Sequence, residues 1–159
     1  MKIVGVTCYI YGMNTVTLTY KIAIKAKQSI VFDYVSDWEK QSNWIMFTTV
    51  KIVSNSQRPQ DTEPLATTKI GPLKLADTMV ITEWEPHMKI VVEHTGRVIL
   101  GKGVFNVKEI SDDETEFLWQ EITPIPFGQL GKIGFFIVKP ILNTMFGMSL
   151  KRLKRNIEK

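Results

Sequence analysis

The chain has 159 residues, 44% hydrophobic and 23% charged, with a formal net charge of +4. That is long enough for one domain with a sizeable core, and too mildly basic to argue by itself for nucleic acid. The lone cysteine, Cys8, excludes an intrachain disulfide and fits a cytoplasmic protein; with two histidines, His87 and His94, it leaves little for a zinc site, though a carboxylate-rich metal site stays open.

Residues 3 to 20 carry no charge, yet from Thr15 the pattern alternates. Val16, Leu18, Tyr20, Ile22 and Ile24 share one face; Thr15, Thr17, Thr19, Lys21 and Lys25 share the other. Such alternation predicts a half-buried strand from about Asn14 to Ala26, not a membrane span or a signal segment. Residues 1–12 lie ahead of it as an N-terminal extension, and Met13 is an alternative start. A short helix is expected over Gln28 to Val35, with Ser29 as N-cap and Ile30, Val31, Tyr34 and Val35 as its apolar face. Trp38 to Trp44 reads as a second short helix.

Six further strands follow: Phe47 to Val53, Leu65 to Ile70, Leu73 to Trp84, Met88 to Thr95, Gly103 to Ile110 and Thr115 to Thr123. Turn-forming residues separate them, including Gly71-Pro72, Glu85-Pro86-His87 and Ser111-Asp112-Asp113-Glu114. No later segment is long enough for a helical crossover, so the sheet is expected to be antiparallel. Pro124 and Pro126 end the last strand. The rest forms a helical region in which Ile141, Leu142, Met145, Phe146, Leu150 and Leu153 recur at helical spacing. Lys139, Pro140 and Asn143 interrupt its apolar run, which favours a soluble amphipathic helix over a span; Pro140 should kink it or mark its firm start.

Several stretches resemble one family in order and spacing. Ile24-Lys25-Ala26, Val31-Phe32-Asp33-Tyr34-Val35-Ser36-Asp37 and Trp44 resemble the opening of the polyketide cyclase/dehydrase-like group of the START-like (SRPBCC) superfamily. Thr82-Glu83-Trp84-Glu85-Pro86 resembles its central strand and turn. Thr115-Glu116-Phe117-Leu118-Trp119 resembles its last strand, with Glu114-Thr115 where a Gly-Thr pair is usual, and Leu150-Lys151-Arg152-Leu153-Lys154 resembles its closing helix. The resemblance implies an α+β helix-grip domain: a seven-stranded antiparallel sheet wrapped around a long C-terminal helix, with two short helices after the first strand. It also implies a cavity for a lipid, polyketide, quinone or similar molecule. A minority of members are enzymes, and no universal catalytic signature exists, so the fold alone does not give the function.

Phe117, Trp119, Glu121 and Thr123 share one strand face, which the aromatics mark as inward. Glu121 then points into the cavity or its mouth, as an acid/base group or a ligand anchor; the plainer reading pairs it with a lysine or water near the strand end. Ile90, Val92 and His94 share a face too, so His94 is a second inward polar group, or an ordinary histidine at a strand end. Were the two to meet across the cavity, an acid/base pair would result. Asp77 alternates with Leu75, Met79 and Ile81, but the opposite phase places Val80 and Trp84 inward, and the pattern leaves both open.

Gly96 to Gly103 approaches the phosphate-loop pattern, but it lacks the final Ser/Thr and runs into a strand, so it is read as a hairpin loop at the cavity rim. Trp119, Phe117, Val92, Phe105, Phe136, Leu142, Met145 and Phe146 are the candidate pocket lining. The basic cluster from Lys151 to Lys159 complements the helix dipole; contact with an anionic membrane surface is the weaker alternative. No cofactor is implied, and the oligomeric state is not legible. The leading expectation is a binder of a hydrophobic small molecule. The alternatives are a cyclase, aromatase or dehydratase using Glu121 and His94, and a protein-partner module without a small ligand.

Overall fold

The computed structural model describes residues 7–11, 15–54, 56, 59–125 and 128–159. Eight antiparallel strands form one sheet: β1 (Thr7–Tyr11), β2 (Thr15–Ile24), β3 (Thr48–Ile52), β4 (Pro64–Ile70), β5 (Leu73–Glu85), β6 (Lys89–His94), β7 (Gly101–Ser111) and β8 (Glu114–Pro124), in the order β1-β2-β8-β7-β6-β5-β4-β3. Between β2 and β3 lie α1 (Gln28–Ser36) and a short 3₁₀ helix, Lys40–Asn43; α2 (Gly128–Ile157) closes the chain. This is the helix-grip arrangement.

The seven expected strands are all present, and β1 is an addition. Within the expected N-terminal extension, Thr7 to Tyr11 pair with Thr19 to Thr15 and extend the sheet edge. The alternative start at Met13 lies outside the described residues. Capping of α1 also differs from expectation: the helix starts at Gln28, one residue before Ser29, and no side chain caps it.

The alternation of β2 does what its pattern predicts. Val16, Leu18, Tyr20, Ile22 and Ile24 are buried on the inner face. On β5 both phases prove correct, each for part of the strand. Asp77, Met79 and Ile81 face inward, then the register shifts between Ile81 and Glu83, and Trp84 also packs on the core. The extra residue of a β-bulge exchanges the two faces.

The core is aromatic. Trp44 and Phe117 are fully buried, and Trp44 meets Phe105, Phe117 and Trp119 with ring centroids 6.3, 6.2 and 5.5 Å apart. These rings fill the grip near α1 and the 3₁₀ helix.

Two different attachments hold α2. Its C-terminal part is buried at Ser149, Leu150 and Leu153. There Ser149 Oγ accepts the Met46 N–H at 2.9 Å, and Lys154 Nζ donates to the Ala23 carbonyl at 2.7 Å. Farther toward its N-terminus, Phe146 stacks on Tyr20 with centroids 4.5 Å apart, and the Tyr20 hydroxyl donates to Asn143 Oδ1 at 2.9 Å. The helix is continuous through Pro140, so the firm start expected there is absent. Nor is the first half of the helix simply amphipathic: among the described residues, Leu130, Ile133, Ile137 and Ile141 are exposed there.

Candidate functional site

The inner face at one end of the sheet carries a chain of four polar groups. Asp77 on β5 and Glu121 on β8 flank His94, the last residue of β6. His94 Nδ1 lies 2.8 Å from Asp77 Oδ2, and His94 Nε2 lies 3.2 Å from Glu121 Oε2. The Trp119 indole N–H donates to the other Glu121 oxygen at 2.6 Å. Side-chain exposure is 6% for His94, 10% for Asp77 and 20% for Glu121, so the glutamate is the member nearest solvent.

The backbone explains how these groups meet. Glu121 stands opposite Gly103 on β7, which stands opposite Val92 on β6; His94 stands opposite Gly101. Two glycines therefore leave the inner face of β7 bare between His94 and Glu121. A Cβ at Gly103 would sit 2.9 Å from Val92 Cγ2 and 3.5 Å from Glu121 Oε1. A Cβ at Gly101 (φ +112°) would collide with the Ile122 carbonyl. The glycine-rich stretch, expected to be a loop as far as Gly103, forms the β6–β7 turn only up to residue 100; Gly101 and Gly103 belong to β7 and provide the gap through which Glu121 reaches His94.

The geometry sets the charge. A neutral imidazole has one N–H, whereas both ring nitrogens here face carboxylate oxygens, which suits the doubly protonated ring. Burial pulls the His94 pKa down, but the hydrogen bonds and charges of Asp77 and Glu121 outweigh it and raise it from 6.5 to about 10. With that pKa the ring is an imidazolium at neutral pH. Asp77 Oδ1 is buried without a hydrogen-bond partner among the described residues, an acceptor left open beside this ring.

Phe105, Phe117, Trp119 and Val92 are buried on the inner face. The Trp119 ring lies 4.5 Å from that of Phe146, and Leu142 and Phe146 on α2 are partly buried against this surface. Met145 is half-buried. Phe136 is the exception: it is 62% exposed and turned away from the sheet, while its neighbour Phe135 packs on the core. Helical spacing alone did not separate these two adjacent rings. Sequence reasoning left Asp77 open because it could not foresee the bulge. A shallow depression of about 230 Å³ on β3, β4 and β5, lined by residues including Thr67 and Lys69, opens on the outer face and is separate from these groups.

No family model and no curated protein matches the chain. Solved structures share its fold. The Zhui aromatase/cyclase from Streptomyces sp. R1128 superposes with a TM-score of 0.75 at 10% identity, over 91% of this chain and 94% of that one. A protein from Thermus thermophilus gives 0.73 at 14% identity, over 89% and 96%. A conserved protein of unknown function from Enterococcus faecalis gives 0.64 at 18% identity, over 97% and 77%. At these identities the likeness shows the helix-grip fold.

Proposed function

We propose that the protein binds an apolar small molecule that carries a hydroxyl or another proton donor, held between the inner face of the sheet and α2. The observation that carries this reading is the Asp77–His94–Glu121–Trp119 chain at one end of an otherwise apolar inner face. Glu121 is clamped by His94 and Trp119, so a ligand donor would meet a preorganised acceptor. Trp119, Val92, Phe105 and Phe117 form the proposed floor, with Leu142, Met145 and Phe146 as the helix wall; Phe136 is left out. Apolar burial would supply affinity at roughly 25 cal/mol per Å² before ordering costs. The START-like relationship belongs to the same proposal, supported by the quoted motifs together with the fold. So does a cytoplasmic location, supported by the single cysteine.

The test is mass spectrometry of the freshly purified protein under native and denaturing conditions, beside Glu121→Gln. The reading expects an adduct lost on denaturation and depleted in the variant. Equal occupancy in both proteins contradicts the role of Glu121.

One observation favours a second reading. The 3.2 Å contact of His94 with Glu121 is the juxtaposition that an acid/base enzyme of cyclase, aromatase or dehydratase type requires. In that case Glu121 accepts the substrate proton and the imidazolium behind it stabilises the charge pattern. Turnover of a polyketide-like substrate that Glu121→Gln abolishes would decide for it.

A further inference from the structure

We propose that the end of the protein that carries Glu121 and the start of α2 docks on an anionic lipid surface, with the first half of α2 lying in the head-group region. The proposal concerns a surface and holds whether or not the grip takes a small ligand.

Leu130 is 76% exposed and Ile137 70% exposed; Ile133, Phe136, Val138 and Ile141 are exposed with them. A helix of a water-soluble domain normally turns a polar face outward, and one that is apolar all round is covered by something. The segment Ile133–Ile157 is long and apolar enough to cross a membrane by length and composition, and only 11% of its most apolar window is buried. Phe146 and Leu142 on the same helix are packed on the sheet, so the helix as folded can lie on a bilayer but not span it.

More apolar surface gathers at the same end. Thr15 pairs with Pro124, His94 with Gly101 and Ile70 with Leu73, so the start of α2, the turn 95–100 and the β4–β5 hairpin tip share one end of the sheet. Exposed there are Val98 and Leu100 on the turn, and Ile70 and Leu73 at the hairpin tip.

Charge selects the occupant. Lys132 and Lys139 are the only charged residues between Glu121 and Lys151, the stretch that holds the exposed half of α2. The turn 95–100 adds Arg97, and the hairpin adds Lys69 and Lys74, again with no acid in either segment. Two copies meeting through this face would oppose like charges, whereas an anionic bilayer complements them and accepts the apolar side chains below its head groups.

Flotation of the full chain with lipid vesicles tests this. Wild type should float with vesicles of phosphatidylcholine and phosphatidylserine, and much less with phosphatidylcholine alone or in high salt. Leu130→Glu and Ile137→Glu should each weaken binding by about tenfold or more. Both side chains are exposed, so the thermal midpoint should stay unchanged. Failure of the wild type to float, or flotation of the variants as well as the wild type, overturns the proposal. So would a solution dimer that Ile137→Glu splits, which would make a second copy the occupant, or an alkaline-resistant membrane fraction, which would make the helix a span.

Discussion

Glu121 and His94 touch at 3.2 Å although a whole strand, β7, runs between their own strands. Contact across an intervening strand needs that strand to be bare on the shared face, and Gly101 and Gly103 make it so. The arrangement follows as much from two missing side chains as from the charged ones.

Substituting Gly103 therefore tests the architecture. Gly103→Ala places a methyl against Val92 Cγ2 and beside the Glu121 carboxylate. We expect a loss of about 1–3 kcal/mol of stability from overpacking, measured by chemical denaturation, together with a lower His94 pKa as the pair separates. A variant as stable as wild type with an unchanged histidine would show that the glycine is not what admits the contact.

Stability should depend on pH through His94. Its folded pKa, about 10, lies above the ordinary value of 6.5. The charged ring's contribution is thus fully present below 6.5 and is lost as the pH rises through 10. Denaturant midpoints should fall across that window more steeply for wild type than for His94→Gln. Asp77→Asn, which removes one flanking charge, should move the fall to lower pH. Parallel profiles for wild type and His94→Gln would contradict the charged cluster.

Much of the fold was legible because it rests on alternation. The inward set of β2 and the strand boundaries from β3 to β8 follow from period and turn residues. β1 is not legible because a strand added at a sheet edge leaves only a weak mark on the pattern. The phase of β5 was undecidable because the bulge near Thr82 makes one phase correct up to Ile81 and the other correct at Trp84. The site was half legible. His94 and Glu121 stood out as polar members of apolar faces, but their meeting depends on the pairing of β6, β7 and β8. The visible signal was the pair Gly101 and Gly103, bare positions on the strand between them.

Phe146 fastens the middle of α2 to the sheet through Tyr20 and Trp119, each with ring centroids 4.5 Å away. Phe146→Ala should cost about 2–4 kcal/mol in thermal or chemical unfolding. Amide exchange should quicken between Leu130 and Leu142 while the helix end around Leu150 and Leu153 keeps its protection. Uniform loss of protection along α2 would show that the helix has one attachment, not two.

The most direct measurement is nitrogen NMR of the His94 ring as a function of pH. The ring should be an imidazolium, protonated at both nitrogens at neutral pH and losing its proton near pH 10. A ring that titrates near its ordinary value of 6.5 would mean that His94 is not held between Asp77 and Glu121 and that the proposed anchor does not exist.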